Sequence, residues 1–136
     1  MSGVVHDTTR EQRRAAHALQ AVQRIAASPT IARDRYRSYA ERIGPAILTN
    51  GLGQALATEL AGAERNLAHR ELYDNLQQWL CGEHGLLRGP KLLEALVAVD
   101  QTTYLRVQVE ALAWLVWHKK LCRALLPREP VVEAPL

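Results

Sequence analysis

The segment that most constrains the fold begins at Asp100. From there to about Leu126 the chain reads as one long helix. Asp100 stands in position to cap it, and Leu105, Val109, Leu112, Trp114, Leu115, Val116, Trp117 and Leu121 make it apolar nearly all round. A helix apolar on every side belongs in the middle of a bundle, so other helices must surround it. Composition supplies them: Leu (21) and Ala (20) dominate the 136 residues, against ten Val, four Ile and no Phe. Strong helix formers with few β-branched residues favour an all-α chain. The longest uninterrupted apolar run, Ala111–Trp117, is well below a membrane span.

Upstream, the sequence is punctuated like a row of helices. Thr8 followed by Glu11 has capping-box form, and Ala15, Ala18, Leu19, Val22 and Ile25 then share one helical stripe. Ser28-Pro29 suggests an N-cap and a first-turn proline for a second helix that carries Tyr36, Tyr39, Ala40 and Ile43 inward. Gly44-Pro45 reads as a break before a third helix, ridged by Leu48, Leu52, Leu56 and Leu60. A fourth buries Leu67, Leu72, Leu76, Trp79 and Leu80 and ends near Gly82; Gly89-Pro90 opens a short fifth through Leu92, Leu93, Leu96 and Val97. The expectation is a compact, single-domain, all-α bundle of five to six helices with a long central C-terminal helix. Residues 1–7 are expected to be a flexible N-terminus, 8–126 the helical domain, and 127–136 a loose tail with Pro127, Pro130 and Pro135. No basic stretch followed by an apolar one opens the chain, and the two Cys lie far apart, so a reducing cytoplasm is expected.

The net charge of +3 conceals an asymmetry. Residues 1–42 hold eight basic and four acidic side chains, 43–100 four and seven, and 101–136 five and three. Opposite the apolar stripe of the first helix lie Arg10, Arg13, Arg14, His17, Gln20 and Arg24. Arg forks bind phosphate oxygens bidentately, so this arc suits nucleic-acid backbone contacts as well as plain solvation. Lys119, Lys120 and Arg123 form a second basic cluster, which also suits a helix C-terminus.

Three other constellations compete. Cys81/His84 and His118/Cys122 have the form of two zinc-ligand pairs, but their separation fits no familiar finger, and buried Cys with exposed His is the plainer reading. Arg65-Asn66 with His69, or Arg10 with His17, has the flavour of a metal-independent helical ribonuclease, with spacings that do not match. Gln54 to Gly62, followed by Arg65 and Arg70, resembles the first half of a helix-turn-helix with one residue too many. No catalytic set, Gly-rich phosphate loop, metal or cofactor is expected.

Two blocks carry a family resemblance. The first runs from Tyr36 and Tyr39 through Ala40, Glu41, Arg42, Ile43, Pro45, Ile47 and Asn50-Gly51-Leu52 to Gln54, Leu56 and Ala57. The second takes in Leu92-Leu93, Asp100, Tyr104, Glu110, Leu112 and Trp117 to Lys120. In order and spacing they resemble the small subunit of the type III-B CRISPR effector, the RNA-guided Cmr complex, over residues 10–126. Departures are Gly44, where Leu is common, and Thr58, where an aromatic is usual. The resemblance implies an all-helical, non-catalytic subunit that lies beside guide-holding backbone subunits and the large subunit and lines the channel for target RNA. On that basis Arg13, Arg14, His17 and Arg24, with Lys119, Lys120 and Arg123, are the expected RNA-binding residues. They would touch phosphates and leave sequence to base pairing. Neighbouring copies are expected to stack, acidic middle against basic end. A helical DNA-binding regulator or a small ribonuclease is the alternative.

Overall fold

In the computed structural model the described residues are 7–126, so the expected tail and all but the last residue of the expected flexible N-terminus lie outside them. The first helix, α1 (Arg10–Ala27), starts one residue later than the Thr8/Glu11 pattern suggests. Thr9 accepts from the Gln12 N–H and Gln12 returns the bond to the Thr9 N–H at 2.8 Å. Glu11 is left for other work, accepting from Trp117 Nε1 at 2.8 Å. Ser28-Pro29 does not start the next helix. Ser28 bonds locally to Thr30, and α2 (Arg33–Asn50) begins four residues later with no side-chain cap.

Gly44-Pro45 does not break the chain either, because α2 runs straight through both. Proline removes one N–H from a helix interior, and the burial of Ile43 and Ile47 on either side of it holds the helix together. The break falls at Gly51, whose φ of +86° is open to glycine and strained for other residues. The first N–H groups of α3 (Leu52–Gly62) are then taken by another helix: Leu52 donates to Gln108 Oε1 at 2.9 Å and Gly53 to the Tyr104 hydroxyl at 2.8 Å. The leucine ridge is therefore split between two helices. Leu52 and Leu56 are buried, while Leu48 is 74% exposed and Leu60 also faces out.

Asn66 caps α4 (Leu67–Cys81), accepting from the Ala68 N–H at 2.8 Å. Leu67, expected inside, is exposed. The short α5 (Leu92–Ala98) borrows its caps from α4, Leu92 donating to Gln77 Oε1 and Leu93 to the Tyr73 hydroxyl. Val97 lies on its outer side. Asp100 caps α6 (Gln101–Leu125) through the Thr103 N–H, as its position predicts. No strand occurs among the described residues, and the all-α bundle with a long C-terminal helix is as expected. α6 packs against α1, α2 and α4, with Trp114, Tyr36, Leu52, Leu56, Leu72, Leu76 and Leu80 in the core. It is not covered on every side, however: Leu105, Val109 and Val116 are about half exposed or more.

Candidate nucleic-acid interface

The basic arc of α1 is built around an acid supplied by α6. Glu110 is buried and accepts from Arg10 Nε at 2.6 Å, Arg14 Nε at 2.6 Å, Arg14 Nη2 at 2.8 Å and Trp79 Nε1 at 3.1 Å. Burial alone would raise its pKa, but the bonds from Arg14, Arg10 and Trp79 outweigh that and hold it at about 2. The bond to Glu110 in turn raises Arg14 above its ordinary value, with Glu11 as a further partner. Arg10 also lies 5.7 Å over the Trp79 ring and donates to the His84 carbonyl. Two of the first-helix cations thus tie α1 to α6.

His17 sits between two indoles, 5.4 Å from the Trp79 ring and 5.7 Å from that of Trp114, and accepts from Trp114 Nε1 at 2.9 Å. Burial, reinforced by the charge of Arg24, lowers its pKa to about 4, so it is neutral at pH 7. A second polar chain runs deeper. Arg24 Nη2 donates to Asn75 and Gln78, both at 3.0 Å; Asn75 Nδ2 donates to the Tyr36 hydroxyl at 2.9 Å; Tyr36 meets His118 Nε2 at 2.5 Å. His118 stacks on Trp114 at 4.3 Å, and burial lowers its pKa to about 3. Asn75, His118 and Glu110 all lie in the core. Of these, Asn75 carried no sequence signal, whereas Glu110 is the single acid of α6, a signal that could have marked it.

The seven expected RNA-binding residues therefore divide. Arg14 and His17 are built into helix packing, and Arg13 is half-buried with Nη1 on the Thr8 carbonyl at 2.5 Å. Arg24 is exposed although it bonds to α4. At the far end of α6, Lys120 is exposed, and Arg123 is exposed while pairing with Glu41 at 2.8 Å. Lys119 is half-buried and lines a groove between α2 and α6.

The competing constellations do not assemble. His118 is committed to Tyr36, Cys122 is buried with its thiol pushed up to about 12, and His84 is exposed on a loop. No three His, Cys, Asp or Glu groups come together to hold a metal among the described residues. His69 bonds Glu59 at 2.5 Å and stacks on Tyr39 at 3.6 Å, with Arg42 over that same tyrosine, while Arg65 is exposed nearby. The helix that would follow a helix-turn-helix turn, α4, buries Leu72, Tyr73, Asn75, Leu76, Trp79 and Leu80, so it is a core element and not a groove reader. No helix among the described residues is long and apolar enough to cross a membrane.

Fold and site together define a small all-α bundle with basic side chains on its first and last helices and no assembled metal site among the described residues. A solved structure, an X-ray crystal structure of a CRISPR-associated Cmr5 family protein from Thermus thermophilus, matches with a TM-score of 0.72 and 31% identity, over 88% of this chain and 100% of that one. The family model described as CRISPR-associated protein (Cas_Cmr5) matches residues 10–125. The chain belongs to this family, which is the small structural subunit of the type III-B Cmr complex.

Proposed function

We propose that the chain acts in the cytoplasm as a non-catalytic subunit of a type III-B effector in antiviral defence, stacking along the filament and contacting target-RNA phosphates. Membership of the family over residues 10–125 carries this reading. The exposed three of the seven, Arg24, Lys120 and Arg123, make the main phosphate contacts, with Arg13 about three turns before Arg24 on α1. Arg14 and His17 contribute by fixing the helix that presents Arg13 and Arg24, and Lys119 by flanking the end of α6. Base pairing with the guide supplies sequence, so the protein needs only backbone contacts. The acidic stretch 43–100 of one copy facing the basic ends of the next favours stacking.

The test is reconstitution with the backbone subunit and guide RNA, followed by target binding over a range of salt. Changing Arg24, Lys120 and Arg123 together to Gln is expected to reduce the slope of log K against log salt by about 2, at roughly 0.7 per phosphate contact. An unchanged slope overturns the assignment of the RNA face. Failure of the wild-type chain to join the filament overturns the function.

A further inference from the structure

The outer side of α6 has a pattern that the bundle does not use. Leu105, Val109, Leu112 and Val116 are four, three and four residues apart, the spacing of a coiled-coil seam. The structure leaves that seam open: Leu105 is 49% exposed, Val109 67% and Val116 49%, and Leu112 is half-buried and lines the α2/α6 groove. The four span about 16 Å of helix, or three turns. Leu48 of α2, 74% exposed, widens the strip, and the groove beside it encloses about 350 Å³. Neighbouring apolar side chains in this number make a surface suited to burial against another element.

The charges around the seam have one sign left over. Two carboxylates line this face, and both are engaged within the chain: Glu110 by Arg10 and Arg14, and Glu41 by Arg123 at 2.8 Å. Arg106, beside Leu105 and Val109, and Lys119, at the next seam position after Val116, have no acidic partner among the described residues. Lys119 is half-buried and lines the groove itself. An apolar seam with an unpaired cation towards each end is complementary to a helix with the opposite pattern.

We propose that the outer face of α6 is a docking site for an acidic amphipathic helix of a partner protein, its apolar side chains meeting Leu105, Val109 and Val116 and its carboxylates meeting Arg106 and Lys119. This goes beyond the RNA reading, in which Lys119 only flanks the end of α6, and the peptide titration contains no RNA, so the two are tested separately.

The probe is a fluorescein-labelled helical peptide with Leu at its seam positions and Glu beside them, titrated against the full chain, with a Lys-flanked peptide of the same seam for comparison. The Glu peptide is expected to bind saturably and the Lys peptide at least tenfold more weakly. Val109→Asp is expected to abolish binding while leaving the thermal melt unchanged, since Val109 faces solvent. Arg106→Glu with Lys119→Glu is expected to reverse the preference in favour of the Lys peptide, a swap that general damage to the fold does not produce. Equal binding of both peptides, or binding unaffected by Val109→Asp, overturns the proposal. So does sedimentation showing a wild-type dimer that Val109→Asp dissociates, because a second copy of the chain would then cover the face.

Discussion

Replacing Glu110 by Gln keeps the shape of the side chain and removes its charge. The carboxylate is only 5% exposed and receives four hydrogen bonds, three of them from the guanidinium groups of Arg10 and Arg14 and one from Trp79. The amide offers one acceptor and turns a donor towards a cluster of donors. Breaking a buried ion pair from one side costs about 3–5 kcal/mol, a large part of the roughly 5–15 kcal/mol that holds a domain together. Proton linkage gives a second measure of the same interaction. Glu110 titrates at about 2 in the fold against an ordinary 4.5, and that gap corresponds to about 3 kcal/mol. Because the folded pKa is the depressed one, this stabilisation is complete above about 4.5 and is lost as the pH falls towards 2. Urea unfolding followed by circular dichroism, on wild type and Glu110→Gln at several pH values, measures both. The variant is expected to lose about 3–5 kcal/mol at pH 7, with the difference from wild type shrinking below pH 4.5. A loss under about 1 kcal/mol, or a difference that does not change with pH, would refute the assignment of Glu110 as the tie between α1 and α6.

Two further outcomes follow from the packing. His17 and His118 are held neutral with pKa values of about 4 and about 3 against an ordinary 6.5, so the unfolded chain takes up their protons first. Urea midpoints are expected to be constant above about pH 6.5 and to fall between pH 6.5 and 5, before Glu110 begins to titrate; flat midpoints in that window contradict the burial of both rings. Gly51→Ala forces a side chain into a backbone conformation essentially reserved for glycine and is expected to cost about 1–3 kcal/mol, read from the same unfolding curves. A change below about 0.5 kcal/mol would mean that the α2/α3 junction relaxes freely.

The helices themselves were legible in local chemistry. Asp100 caps α6 where the sequence suggested, Thr9 caps α1 within one residue of the expected site, and the buried stripe Ala18, Val22 and Ile25 follows the helical period. Local signals failed where tertiary packing competed with them. Pro45 should stop a helix, yet buried Ile43 and Ile47 carry α2 past it, and α3 begins where Gln108 and Tyr104 of α6 receive its first N–H groups. Those partners lie more than fifty residues away in sequence.

The same limit explains the basic arc of α1. Periodicity determined that Arg10, Arg13, Arg14, His17 and Arg24 share a face away from the apolar stripe, and the ordered blocks from Tyr36 to Lys120 determined the family resemblance. Whether that face met solvent was decided only when α6 brought Glu110 and Trp114 against it and α4 brought Trp79, Asn75 and Gln78. A polar residue carries no local mark of being paired, because its partner is fixed by chain topology and not by its neighbours in sequence. The converse holds on the outer side of α6. Its apolar residues predicted full enclosure, but the six helices of the described residues cover only the sides that their connections let neighbours reach, and Val109 is left facing out.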